Sequence, residues 1–191
     1  MQDRNRSTQP GRQGRRTLVL IALIGLAPIV ASTLIYFYFP RAAGTNYGRL
    51  LALPAPEITG TRLDATPFRL SALQGKWLLI VAADGTCGER CRRELYATRQ
   101  ARTIQGREQD RVERVWLITD GSWPPEEVLA QHPGLIVARV ERSVVRRLPA
   151  ADAAIYLIDP HGNLVLQYPE DPDIKALAKD LKRVLGASSI G

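Results

Sequence analysis

The sequence predicts an α/β domain carried behind a single N-terminal transmembrane helix. Three observations predict it. Residues 17–39 run for 23 positions without a charge, about the length of helix that a bilayer core requires. The short continuous apolar run Trp77–Ala83 and the segment 112–119 (VERVWLIT) read as strands buried on both faces. The order of elements is β-α-β, then helical material, then a β-hairpin and a final helix. That is a βαβ unit followed by a ββα unit.

The elements follow in order. Residues 1–16 form a basic tail. The apolar run after it shows no polar face, unlike a core helix of a small soluble domain. Pro28 lies inside it, where a lipid-embedded helix tolerates proline, and Tyr36 and Tyr38 lie near one end, as interfacial aromatics do. Arg4, Arg6, Arg12, Arg15 and Arg16 precede the run, and Arg41 and Arg49 follow it. The positive-inside rule therefore places the tail in the cytoplasm and the remainder across the membrane. A cleaved signal peptide would have a shorter apolar region, about 7–15 residues, and a small-residue cleavage site, whereas this run ends in Tyr-Phe-Tyr-Phe-Pro. Residues 40–55 read as a linker, broken by Gly44, Gly48 and Pro54, and residues 56–191 as the folded domain.

Within that domain a helix is expected over 88–107, with Ala97, Ala101 and Ile104 as a thin apolar stripe. Pro124-Pro125-Glu126-Glu127 has the chemistry of a helix start. Leu135–Val140 reads as a strand and 141–148 as a short helix. Residues 154–158 and 164–168 form a hairpin around Asp159-Pro160-His161-Gly162-Asn163. A last helix over 171–185 carries Ile174, Leu177, Ala178, Leu181 and Leu185 on one stripe. Trp77, Trp116 and Trp123 read as packing residues, and the arginines of the long helix as a solvated face.

Composition narrows the function. Two cysteines exclude a disulfide-framework miniprotein and a four-cysteine zinc site, and two histidines exclude a histidine-rich metal site. The net charge of +7 is concentrated at the start: residues 1–41 hold six Arg and one Asp. A basic tail of that kind belongs with the membrane segment, so no nucleic-acid partner is expected.

Cys87 and Cys91 lie where the first buried strand gives way to the long helix. At i and i+4 they would share one helical face, about 6 Å apart at Cα, within disulfide range. Two thiolates so placed could also clamp a soft metal ion such as Cu(I). A helix N-terminus and the neighbouring Arg90, Arg92 and Arg93 favour thiolate, partly offset by Glu89 and Glu94. Cys87 and Cys91 are thus the candidate catalytic and metal-ligating residues. Cys87 is expected to attack and Cys91 to resolve. A small structural disulfide is the alternative.

The Cys-x-x-x-Cys after a buried strand, the preceding Gly75-Lys76-Trp77 and the later Tyr156-Leu157-Ile158-Asp159-Pro160-x-Gly162 resemble the Sco proteins. These are membrane-anchored, thioredoxin-fold factors for cytochrome c oxidase assembly. The resemblance covers roughly 56–186. It implies a thioredoxin-like fold in the periplasm of a bacterium with an inner-membrane anchor. It also implies two cysteines that bind copper or exchange disulfides, and respiratory oxidase subunits or assembly factors as partners. The family's third copper ligand, a histidine five residues before the Tyr, corresponds to Ala151 here, and the prolines that follow its cysteines correspond to Gly88 and Arg92. His161 sits in the hairpin turn, His132 precedes Pro133-Gly134, and Asp152 is a hard ligand ill-suited to Cu(I). Copper would then rest on Cys87 and Cys91 alone. Two further readings stay open: a general periplasmic thiol–disulfide oxidoreductase, and a non-catalytic tethered binding module with a structural disulfide.

Overall fold

The computed structural model describes residues 12–38, 46–149 and 155–190. The chain divides between Thr45 and Asn46 into two compact units.

The first unit holds helix α1, Arg12–Tyr38, 27 residues with Pro28 inside. Its stretch Gly14–Leu34 is 21 residues long with a mean hydropathy of 2.3 and is long and apolar enough to cross a membrane. At about 1.5 Å per residue that is about 31 Å, close to a hydrocarbon core of about 30 Å. Thr33 Oγ1 donates to the Ile29 carbonyl at 2.8 Å, which satisfies its hydroxyl within the helix.

The second unit is one mixed sheet with helices. Its strands are β1 (Arg49–Pro54), β2 (Thr59–Arg62), β3 (Pro67–Arg69), β4 (Trp77–Ala83), β5 (Val112–Ile118), β6 (Leu135–Val140), β7 (Ile155–Ile158) and β8 (Asn163–Tyr168). The helices are α2 (Glu89–Ile104), α3 (Glu126–Gln131), α4 (Arg142–Val145) and α5 (Ile174–Ala187). The spatial order is β1-β8-β7-β4-β5-β6-β2-β3. β4, β5 and β6 are parallel, with Ile80 opposite Val115 and Val115 opposite Ile136. β7 runs antiparallel to β4, with Tyr156 opposite Ile80. This is the expected α/β arrangement, with βαβ at its centre and ββα completing it.

Alternation along the central strands sends apolar residues to both faces of the sheet, without a break in β4 and from Val115 onward in β5. Trp77, Leu79 and Val81 of β4 join Trp116 and Ile118 of β5 in a core with Leu95 of α2 and Leu177 and Leu181 of α5. Leu78 and Ile80 point to the other face, with Val115, Leu117, Phe68, Leu70 and Leu148. Each central strand is covered on both sides, so neither face is polar.

The last helix starts at a side-chain cap. The Asp173 carboxylate accepts from the backbone N–H groups of Lys175 and Ala176 at 2.8 and 3.0 Å, satisfying two otherwise free donors. Four of its five predicted stripe residues are buried: Leu177, Ala178, Leu181 and Leu185. The hairpin turn is set by Asp159, whose Oδ1 accepts from the N–H groups of His161 and Asn163 at 3.0 and 2.8 Å. Gly162 there has φ +88, a conformation glycine adopts without penalty.

Several sequence expectations need correction. Residues 49–54, expected within the linker, form edge strand β1 paired with β8. Leu50 and Leu53 are exposed, so β1 has no buried apolar alternation to reveal it. β2 and β3 have no counterpart among the expected elements: β2 is four residues and polar, and β3 is three residues with Phe68 alone buried. Gly60 lets β2 lie close on β6, since a Cβ there would come 2.1 Å from the Arg139 carbonyl oxygen. The helix expected over 141–148 is the single turn of α4. The buried face of α2 is Cys91, Glu94, Leu95, Ala97, Thr98 and Ala101, whereas Ile104 is exposed. Polar Glu94 and Thr98 mask the true centre of that stripe. Trp77 and Trp116 are packed as expected, but Trp123 is 61% exposed with the Arg139 guanidinium 4.4 Å from its ring centre.

Candidate functional site

β4 leaves the sheet at Ala83 and the chain crosses residues 84–88 before α2 begins. Gly88 is the N-cap residue of α2, so Cys91 is the third helical residue and Cys87 lies just outside the helix. Cys87 has φ +47, a left-handed conformation uncommon for a residue with a Cβ. The two cysteines therefore do not share a helical face. The left-handed turn brings Cys87 back over the first turn of α2, where it forms a disulfide with Cys91 at a Cα separation of 5.0 Å.

The loop is held from the side by the segment after β5. The Gly85 N–H donates to Asp120 Oδ1 at 2.9 Å, and Ser122 Oγ donates to the same carboxylate at 2.7 Å. These bonds, Gly85 first, hold the Asp120 carboxyl below its ordinary range. Thr119 Oγ1 donates to Asp84 Oδ1 at 3.2 Å. The approach is tight, since a Cβ at Gly85 would lie 2.5 Å from the Ser122 carbonyl oxygen. Arg92 Nε donates to the Cys87 carbonyl at 3.2 Å. The cysteine loop is thus fixed by backbone and carboxylate contacts rather than by packing alone.

The arginines around the disulfide are largely matched by acids. Arg90 Nε donates to Glu94 Oε1 at 2.9 Å and the same guanidinium pairs with Glu170. Arg93 lies 3.6 Å from Asp171, and Arg142 lies 3.3 Å from Asp84. The sequence presents Glu94 only as a charge offset, yet it is fully buried one turn beyond Cys91. Burial pushes its carboxyl up to about 7, against the opposing pull of Arg90. Its Oε2 has no hydrogen-bond partner among the described residues. Its spacing of three from Cys91 on a helix is the signal that could have found it.

An open cleft of about 900 Å³ lies against the disulfide. It is lined by Ala83, Cys91, Arg142, Arg146, Leu148 and Tyr156, among others. Cys91 contributes to its wall and Cys87 does not. Cys87 is 1% exposed and Cys91 4%.

The histidines lie elsewhere. His161 is in the β7–β8 turn, beside the start of β4 and so at the far end of the sheet from the cysteines, as its sequence position implies. His132 ends α3 and precedes β6, near Arg114 at the start of β5, again away from the C-terminal end of β4. It is 5% exposed. Burial first, then Arg114 and Arg99, lowers its imidazole to about 4. Nothing in the sequence singles out Arg114; it is buried, and its Nη2 donates to the Pro133 carbonyl at 2.7 Å. Burial, then Arg102 and Arg99, brings it down to about 10. Ala151 and Asp152 lie outside the described residues. Among the described residues there is no group of three or more His, Cys, Asp or Glu that could hold a metal ion. What the cysteine pair offers a metal is two sulfurs, a donor set suited to soft Cu(I) and poor for Cu(II).

Residues 77–188 match the family described as "Transmembrane-like, thioredoxin-like, C-terminal domain". No curated protein matches the chain. Among solved structures the fold is similar to yeast Sco1 with copper bound, at 18% identity and TM-score 0.60, covering 72% of this chain and 95% of that one. It is also similar to Bradyrhizobium japonicum ScoI with copper bound, at 20% identity and TM-score 0.53, covering 69% and 99%. The thioredoxin domain of the thiol-disulfide oxidoreductase BVU-2223 from Bacteroides vulgatus is similar too, at 18% identity and TM-score 0.54, covering 72% and 99%. At these identities the likeness is one of fold.

Proposed function

We propose, from the premise that the chain belongs to the transmembrane-like, thioredoxin-like C-terminal domain family, that it is a membrane-anchored thiol–disulfide exchange factor working through Cys87 and Cys91. One observation carries the reading: the pair forms a disulfide at the junction of β4 and α2 with a cleft opening onto it. The bond also joins residues only four apart, and so restricts the unfolded chain less than a long-range bridge would.

The finer reading is a Sco-like role in cytochrome c oxidase assembly, in the periplasm of a bacterium. The copper-bound Sco structures of the same fold support it, as does the helix long and apolar enough to anchor the domain. In that role the reduced pair passes electrons to a client disulfide or carries Cu(I) as cargo between its two sulfurs. A general thiol–disulfide oxidoreductase is the second reading, supported by the neighbour of that activity.

The arginine-rich tail favours cysteines outside the cytoplasm, where a disulfide can persist. Treating intact cells briefly with a reductant and then a membrane-impermeant maleimide should add two labels per chain, lost in the Cys87→Ser, Cys91→Ser double variant. Labelling that appears only after lysis would overturn the placement. A pair that no mild thiol reductant opens in the folded protein would overturn the exchange reading.

A further inference from the structure

The cleft beside the disulfide has a chemical character that the family likeness does not supply. Its described lining includes three arginines, Arg90, Arg142 and Arg146, and one acid, Asp84. Arg90 is engaged by Glu94 and Glu170, and Arg142 by Asp84. Arg146 is exposed, and no ion pair or side-chain hydrogen bond engages its guanidinium among the described residues. Among the described residues, the cleft thus has on the α4 side a positive group, Arg146, that no acid engages. Its floor is apolar, formed by Ala82, Ala83, Val145, Leu148 and Tyr156. About 900 Å³ is near the upper end of what a small-molecule site occupies, and it is open along one side.

We propose that this cleft receives an extended polypeptide segment of a partner protein in which acidic residues flank a cysteine, and that the partner's sulfur is joined to Cys91. The proposal rests on the exchange reading above. Apolar floor and cationic wall together suit a peptide whose backbone lies against Ala83 and Tyr156 while its carboxylates meet Arg142 and Arg146. A flanking carboxylate can also displace Asp84 from Arg142, an exchange of one ion pair for another. The same cations favour the thiolate of the incoming cysteine.

The lining favours one of the two cysteines. Cys91 lines the cleft and Cys87 does not, so on this proposal Cys91, rather than Cys87 as the sequence suggests, is the sulfur that joins the partner. The incoming thiolate attacks Cys91 Sγ. The Cys87–Cys91 bond breaks, its electron pair leaves with Cys87 as a thiolate, and a disulfide joins Cys91 to the partner. A second partner thiolate then attacks the partner's own sulfur and releases Cys91 as a thiolate. One disulfide and two thiolates enter, and one disulfide and two thiolates leave. The reverse sequence reduces a partner disulfide.

The test uses the full chain in detergent with two heptapeptides, one with aspartates flanking the central residue and one with lysines. In the binding arm the central residue is serine and the protein is oxidised. The acidic peptide should bind at least about tenfold tighter than the basic one at low salt, and the gap should close at about 0.5 M salt. The surface double variant Arg142→Glu, Arg146→Glu should reverse the preference. Equal binding of the two peptides, or a preference unmoved by that variant, overturns the proposal. In the covalent arm the central residue is an activated cysteine disulfide. It should form a mixed disulfide with the Cys87→Ser variant at Cys91 and far more slowly with Cys91→Ser. The opposite order overturns the assignment of Cys91. Failure of both cysteines to react, with the acidic preference intact, removes the exchange reading and leaves the docking surface standing.

Discussion

Replacing His132 with glutamine should leave a protein that loses about 3 kcal/mol of stability between pH 4.5 and 7, and replacing Glu94 with glutamine should leave one that gains about as much. The two groups are both buried and pull in opposite directions. Glu94 titrates near 4.5 when unfolded and is pushed up to about 7 in the fold. The folded state therefore holds its proton more tightly. The stability that this protonation contributes is fully present below pH 4.5 and is lost as pH rises through 7. His132 falls from 6.5 to about 4, because burial and the neighbouring Arg114 and Arg99 favour its neutral form. Its contribution is present above pH 6.5 and is lost as pH falls through 4. Each tenfold change in proton affinity is worth about 1.4 kcal/mol, so each group accounts for roughly 3 kcal/mol. In the wild type the slopes largely cancel between pH 4.5 and 6.5. Urea unfolding of the full chain in detergent across that range separates them. Variants whose pH profiles both match the flat wild type would contradict the burial of these two side chains.

The reduced protein should bind one Cu(I) per chain and leave Cu(II) in solution. Two thiolates are enough for the soft monovalent ion, while Cu(II) prefers more ligands with nitrogen among them. Serine at either cysteine should abolish Cu(I) uptake, because a single sulfur remains. His161→Ala and His132→Gln should change nothing. The first lies in the β7–β8 turn at the far end of the sheet, and the second is buried at the N-terminal end of the parallel strands. Competition against a chromophoric Cu(I) chelator reads all of these. Tight Cu(II) binding by the wild type, or loss of copper in His161→Ala, would mean that a histidine reaches the cysteines.

What the sequence discloses and what it conceals follow from how each residue meets solvent. β4 is legible because both of its faces are covered, which leaves a continuous apolar run, and β5 is legible from Val115–Ile118 for the same reason, although Glu113 and Arg114 stand near its start. β1 is not, because Leu50 and Leu53 point to solvent on an edge strand and resemble a linker. The cysteine pair stands out through its rarity and its place after a buried strand. The left-handed turn at Cys87 does not, since no glycine marks it. Glu94, Arg114 and His132 are hidden for a common reason: a charged or polar residue in a helix, strand or cap reads as exposed until tertiary packing buries it. The cleft is illegible because it is assembled from the end of β4, the start of α2 and the turn of α4, the first and last more than fifty residues apart in the chain.

Equilibrating the full-length protein with thiol–disulfide buffers of defined potential, and counting alkylated cysteines at each, measures the reduction potential of the Cys87–Cys91 bond. An exchange site should titrate in the range of working thiol–disulfide proteins, about −270 to −120 mV, and a value below about −300 mV would instead mark a structural bond and contradict the account.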